Sequence, residues 1–176
     1  MRLFVARHGQ TQWNVENKVC GRTDLPLTEE GMEQAKCLAE KAKGFNIDHI
    51  ISSPMLRARQ TAAAVAERLN ISVTVDERLI EQDYGIFEGL DRKDPGFIAN
   101  KRQFAVRYPG GESMMDVAYR VYGLLEDVKR EYEGKNVLLV CHGGVCRLIR
   151  TYFEPMTNEE FFCYSEDNAN IREYSL

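Results

Sequence analysis

The chain has 176 residues and a formal net charge of −4, with 44% apolar and 28% charged residues. A chain of this length can bury about 70% of its unfolded surface without covalent staples, so it reads as a single domain over residues 1–176. The acidic balance excludes a general binder of nucleic acid or membrane surface, since both need a basic field; a basic pocket inside it would suit a small anion.

The first predicted element is a strand, Arg2 to Arg7, which ends in Arg7-His8-Gly9. After a polar loop comes "LPLTEEGMEQAKCLAEKAKGF", a helix with Thr28 as N-cap and Glu29 and Glu30 in the first turn, where the dipole favours acids. Leu27 and Met32 stand at staple positions. Met32, Ala35, Leu38, Ala39 and Ala42 form its apolar face, and Gly44 is the expected stop. "HIISSP" is a short strand; Ser53 caps the next helix, with Pro54 in its first position, and that helix runs to about Asn70. "ISVTV" is a third strand. Residues 78–111 read mostly as loop with one short helix. Ser113 with Asp116 opens a long helix whose period is carried by Val117, Val121, Leu124, Leu125, Val128 and Tyr132, ended by Gly134. "NVLLVC" is a continuous apolar run, as in a strand covered on both faces. "GGVCRLIRTYF" begins another helix, and "ANIREYS" reads as an edge strand.

No apolar run approaches the ~20 residues of a membrane span, and the stretch after Met1 is too short for a signal peptide. Five cysteines, an odd count without C-x-x-C, point away from a disulfide framework or zinc ribbon. They point to reduced thiols and a cytoplasmic location.

Alternating strands and helices imply an α/β three-layer sandwich, a mostly parallel central sheet flanked by helices. Such sheets bind ligands outside the carboxyl ends of their strands. That rim collects Arg7 and His8 from the first strand and Ser52-Ser53 from the second, with Arg57 just beyond. It also collects His142-Gly143-Gly144 from the "NVLLVC" strand and, past the third strand, Glu81.

These residue types suit phosphoryl transfer, which is mostly positioning and charge stabilisation. Arg7 and Arg57 offer permanently charged forks for phosphate, with Arg57 expected to face the pocket rather than the core. His142 adds a donor. A neutral His8 can act as a nucleophile, and Glu81 can protonate a leaving oxygen. Gly9, Gly143 and Gly144 let backbone approach a ligand. Spacing alone leaves Glu77, Asp83 and Glu88 as rivals to Glu81.

"RHGQTQWN", "GRTDLPLTEEGMEQA", "ISSPMLRARQTA", "LIEQDYGIFEG" and "VCHGG", in this order, resemble the histidine phosphatase superfamily, also called the phosphoglycerate mutase-like family, over nearly the whole chain. The resemblance implies that fold, no metal and no cofactor. It makes His8 the phosphorylated nucleophile, Arg7, Arg57 and His142 the phosphate pocket, and Glu81 the proton donor. Asn14, Gly21 and Arg22 match positions lining the pocket mouth.

Other readings compete for several residues. His49 matches nothing and reads as solvated; Trp13 walls the pocket or simply packs. Lys93, Lys101, Arg102 and Arg107 read as a solvated helix face rather than a site for a second anionic group. Two histidines and a carboxylate suggest iron or zinc, but no H-x-x-H spacing occurs, and two arginines would repel the cation.

A phosphomonoester hydrolase acting on a small phosphorylated metabolite is the expected function. A phosphoglycerate mutase, which must exclude water and also hold a carboxylate, is the alternative. Mutases of the family carry a longer insertion than the Gly89 to Ser113 stretch, which favours hydrolysis. A protein phosphohistidine phosphatase is a narrower variant, and a non-catalytic phosphate-binding module would have no use for a nucleophile with an acid.

Overall fold

The computed structural model describes residues 1–175. Its five strands are β1 (Arg2–Arg7), β2 (His49–Ser52), β3 (Val73–Val75), β4 (Val137–Cys141) and β5 (Ile171–Ser175), and they form one sheet in the order β3-β2-β4-β1-β5. The β1/β4, β4/β2 and β2/β3 pairs are parallel; β5 runs antiparallel to β1 at the edge. Seven helices accompany them: α1 (Gln12–Val15), α2 (Glu29–Ala42), α3 (Leu56–Leu69), α4 (Pro95–Lys101), α5 (Met114–Glu131), α6 (Gly143–Phe153) and α7 (Asn158–Cys163). Among the described residues no helix is long and apolar enough to cross a membrane.

Side chains alternate across a strand, so each strand feeds two cores. Leu3, Val5, Val137, Leu139 and Cys141 pack against Val117, Val121, Leu124 and Leu125 of α5 and Val145 and Ile149 of α6. Phe4, Ala6, Leu138 and Val140 face the other way, onto Leu38, Ala39 and Ala42 of α2 and Ala58, Ala62 and Val65 of α3. The sandwich therefore has the three layers that the apolar periods predict. A smaller cluster of Val19, Phe87, Phe97 and Tyr108 anchors the irregular 78–111 stretch, which contains α4 as its short helix.

The parallel register puts Arg7 beside Cys141, and Ser52 beside Val140. The next residue along each strand, respectively His8, His142 and Ser53, therefore emerges at one rim.

Several local expectations need correcting. Ser53 does not cap α3, which starts at Leu56 with Met55 as N-cap and no side-chain cap of its own. The orphan N–H of Leu56 donates instead to Asp24 Oδ1, 2.7 Å away and far off in sequence, while Ser53 Oγ is bonded to His142. Gly44 does not end α2. It lies inside a 3-10 turn, and Asn46 takes the left-handed conformation (φ 50°) that reverses the chain. Met32 is 37% exposed and lies off the core face, where Gly31 is the buried neighbour. Gly31 is small because its Cβ would sit 2.1 Å from the Gln10 carbonyl oxygen. The third strand is shorter than expected, and α1 and α7, both with capping boxes, fall where no helix is predicted. The Ser113/Asp116 capping box of α5 forms as read, and Gly134 (φ 77°) turns the chain after the helix.

Candidate active site

His8 leaves the end of β1 with its backbone N–H donating to Cys141 O at 3.0 Å. Its Nδ1 lies 2.6 Å from Gly9 O. A carbonyl can only accept, so Nδ1 carries the proton and Nε2 keeps a lone pair. Burial, then Arg57 and Arg7, hold the His8 pKa well below the usual histidine range, so the ring is neutral near pH 7.

His142 stands against it, ring centroids 5.1 Å apart. Arg57 Nε donates to His142 Nδ1 at 3.3 Å, which places the ring proton on Nε2, where it donates to Ser53 Oγ at 2.7 Å. Burial and Arg57, with smaller contributions from His8 and Arg7, keep this ring neutral too.

A cavity of about 110 Å³ opens on this rim. Arg7, His8, Asn14, Glu81 and Gly143 line it. Glu81 is buried; its Oε1 accepts from Gln82 N and its Oε2 from Gly144 N at the start of α6, both at 2.9 Å. Gly144 has to be glycine, because a Cβ there would lie 2.6 Å from Glu81 Oε1. Two of the rivals are occupied elsewhere. Glu88 accepts from the backbone N–H groups of Gly21, Arg22 and Thr23, Asp83 holds Gly85 N, and neither these nor Glu77 lines the cavity.

Arg57 does not face the cavity. It is fully buried, donating to Gly21 O at 2.6 Å and Thr23 O at 2.9 Å as well as to His142. It thus ties the 21–23 loop to the back of His142. Arg22 points away, pairing with Glu112 at 2.9 Å, and Gly21 and His142 also lie outside the cavity lining. Gly9 packs on the Gly31 backbone, where its own Cβ would meet the carbonyl oxygen at 2.4 Å.

The segment 164–170 closes the site from behind. Arg7 Nη1 donates to Glu166 O, Arg7 N to Asn170 O, and Ala169 N to Arg7 O. Asn168 Nδ2 donates to His8 O at 2.9 Å. The Glu166 carboxylate is itself buried among Tyr164 Oη, Asn170 Nδ2 and Arg172 Nε.

The cavity residues that escape the sequence reading include Tyr84, Arg92, Arg147 and Ser165. Lys101 also lines the cavity, contrary to the expected solvated face. Of its three companions, Arg102 pairs with Glu159, Arg107 pairs with Asp116, and Lys93 is exposed. One signal was available for Arg147, an arginine on the apolar face of "GGVCRLIR". Its helix neighbours Val145, Leu148 and Ile149 are core residues.

The sequence pattern described as "Histidine phosphatase superfamily (branch 1)" matches residues 3–176. The probable phosphoglycerate mutase GpmB of Salmonella choleraesuis is 37% identical over 151 residues, 81% of this chain and 70% of that protein. A mycobacterial glucosyl-3-phosphoglycerate phosphatase solved with VO3 superposes with a TM-score of 0.88 at 31% identity, covering 99% of this chain and 90% of the other. A phosphoserine phosphatase from Entamoeba histolytica, solved with 3-phosphoglyceric acid, gives a TM-score of 0.85 at 29% identity, covering 98% and 89%.

Proposed function

The chain belongs to the histidine phosphatase superfamily, and from that premise we propose that it hydrolyses small phosphomonoesters, without a metal, through a phosphohistidine at His8. One observation carries the reading: a neutral imidazole whose Nδ1–H is committed to Gly9 O stands in one cavity with Arg7 and with the buried carboxyl of Glu81.

His8 Nε2 attacks phosphorus, and the bond to the ester oxygen breaks. Arg7 stabilises the charge on the equatorial oxygens, and the Asn14 amide and the Gly143 backbone approach the same group. Glu81 gives its proton to the leaving alkoxide. Each of its oxygens accepts one backbone N–H, which fixes the carboxyl plane and leaves a further site per oxygen for that proton. Water then attacks the phosphohistidine, Glu81 takes a proton from it, and inorganic phosphate leaves with His8 restored. Arg57 acts from behind the neutral His142 ring: with Arg7 it keeps His8 uncharged before attack and supplies positive potential once the phosphoryl arrives. Gly21 and Arg22 contribute through the loop that Arg57 holds. Five cysteines without a disulfide among the described residues fit a reducing compartment, and we assign the enzyme to the cytoplasm.

Rapid quench with labelled substrate tests this. An acid-labile, alkali-stable phosphoryl enzyme is expected, absent in His8→Ala; label that persists in the variant overturns the assignment. The 37% identity to a protein named as a mutase supports one second reading, return of the phosphoryl to another oxygen of the substrate. Phosphorus NMR on 3-phosphoglycerate separates them, since hydrolysis yields inorganic phosphate and the mutase yields the isomer.

A further inference from the structure

The cavity is more basic than one phosphoryl group requires. Arg7, Arg92, Lys101 and Arg147 line it against the single carboxyl of Glu81, a formal excess of three positive charges with Glu81 ionised and of four when it carries the proton it donates. A phosphomonoester brings about −1.5 to −2 at pH 7.

Arg147 shows where the excess lies. Its residue is 8% exposed, its Nε is buried with no partner, and its guanidinium has neither ion pair nor hydrogen bond among the described residues. The Phe161 ring lies 5.2 Å from its Cζ. Leaving such donors unmet is costly unless a ligand meets them. Lys101 Nζ donates only to the Phe162 carbonyl, at 3.3 Å, and lies over the Phe162 ring; Arg92 commits Nε alone, to Lys18 O. Burial, Arg147 and Arg92 together depress Lys101 to a pKa of about 8, as expected where cations crowd without a counter-anion.

We propose that Arg92, Lys101 and Arg147 form an anion subsite beside the phosphoryl centre, and that the substrate is a small phosphomonoester carrying a second anionic group, a carboxylate or another phosphate. The proposal rests on the phosphohydrolase reading for the first of the two anions. Arg7 is set apart from the subsite because its fork is anchored by Glu166 O at the end of β1, next to His8.

The test separates binding from turnover. His8→Ala enzyme is titrated calorimetrically with 3-phosphoglycerate, with 1,3-propanediol bisphosphate and with glycerol 1-phosphate, which lacks a second anion. Phosphate release by the wild-type enzyme from the same three esters is measured alongside. One charge-assisted hydrogen bond predicts binding of a doubly anionic ester at least about 10-fold tighter than glycerol 1-phosphate. In the His8→Ala background, Lys101→Met and Arg147→Gln should each lower that ratio by about 10-fold. Lys101 is partly exposed, so its variant keeps the test decisive where Arg147→Gln does not fold. Tighter binding of the acid alone names a carboxylate, and of the bisphosphate alone a phosphate. Equal affinity for all three esters overturns the subsite, and a ratio unchanged in the variants overturns its assignment to these residues. If the ratio holds but no phosphate is released, the subsite stands and the hydrolase reading falls. If phosphate is released from all three without preference in binding, hydrolysis stands and the subsite falls.

Discussion

Arg57→Ala should be costly to the fold as well as to the chemistry. The wild-type side chain is fully buried and satisfies three acceptors: Gly21 O, Thr23 O and His142 Nδ1. Truncation strands all three. At about 1 kcal/mol for each stranded acceptor, the low end of the range, the loss is about 3 kcal/mol before any cavity is counted. For a domain of this size each kcal/mol moves Tm by about 2–4 °C, so Tm should fall by about 6–12 °C. Arg57→Met, which keeps most of the volume, separates lost packing from lost hydrogen bonds. The same substitution removes the largest charge effect on both histidines, where burial and Arg57 lead the causes that hold them neutral. Their pKa values should therefore rise in the variant, and the acid limb of kcat/KM should move to higher pH, because the neutral nucleophile is lost sooner as pH falls. Circular dichroism melts and a pH series on the folded variant provide both readouts. A Tm drop under about 2 °C would refute the three-bond account, and an unmoved acid limb would refute the electrostatic one.

Glu81→Gln should slow phosphoryl transfer from alkyl phosphates by about 10²–10⁴-fold, but from p-nitrophenyl phosphate far less, because p-nitrophenolate leaves without a proton. The phosphorylation burst is the measurement, Asp83→Asn the control, and an equal loss for both leaving groups would remove Glu81 as the acid. Stability should fall as the solution is acidified from about pH 6.5. The unfolded chain then binds protons that His8 and His142, both with lowered pKa, refuse in the fold. With two groups at about 1.4 kcal/mol per pH unit each, the slope approaches about 2.7 kcal/mol per unit, readable from urea midpoints; a flat profile contradicts it. Activity should survive exhaustive treatment with EDTA, and inactivation reversed by a divalent ion would show a metal enzyme.

Sequence makes the frame legible because the frame is local. β4 announces itself as an unbroken apolar run, and α5 by a capping box and a clean helical period. The rim constellation follows from one rule about parallel sheets together with which polar residue ends each strand. What stays hidden is set by distant partners. Nothing near Leu56 says that Asp24 will cap its helix. Nothing near Arg57 says that its donors will go to the carbonyls of Gly21 and Thr23 and leave the cavity to others. Lys101 sits on a short helix whose period identifies Phe97 as the buried side, but not which neighbouring segment stands opposite the lysine. Glu81 lies between: spacing offers four acids, the motif resemblance selects one, and of the four only Glu81 lines the cavity.

The grip of residues 164–170 on β1 also sets when the enzyme can exist. Arg7 is anchored to the carbonyl of Glu166, 159 positions away, and the carbonyls of Arg7 and His8 are met by Ala169 and Asn168. On the ribosome, His8, Arg57, Glu81 and His142 all emerge before that anchor does. A nascent chain can therefore display every proposed catalytic side chain and still lack an oriented Arg7 fork. Chains grow at about 5–20 residues per second, and so distant a pairing forms late in folding. The site closes only when segments from the two ends of this fold meet.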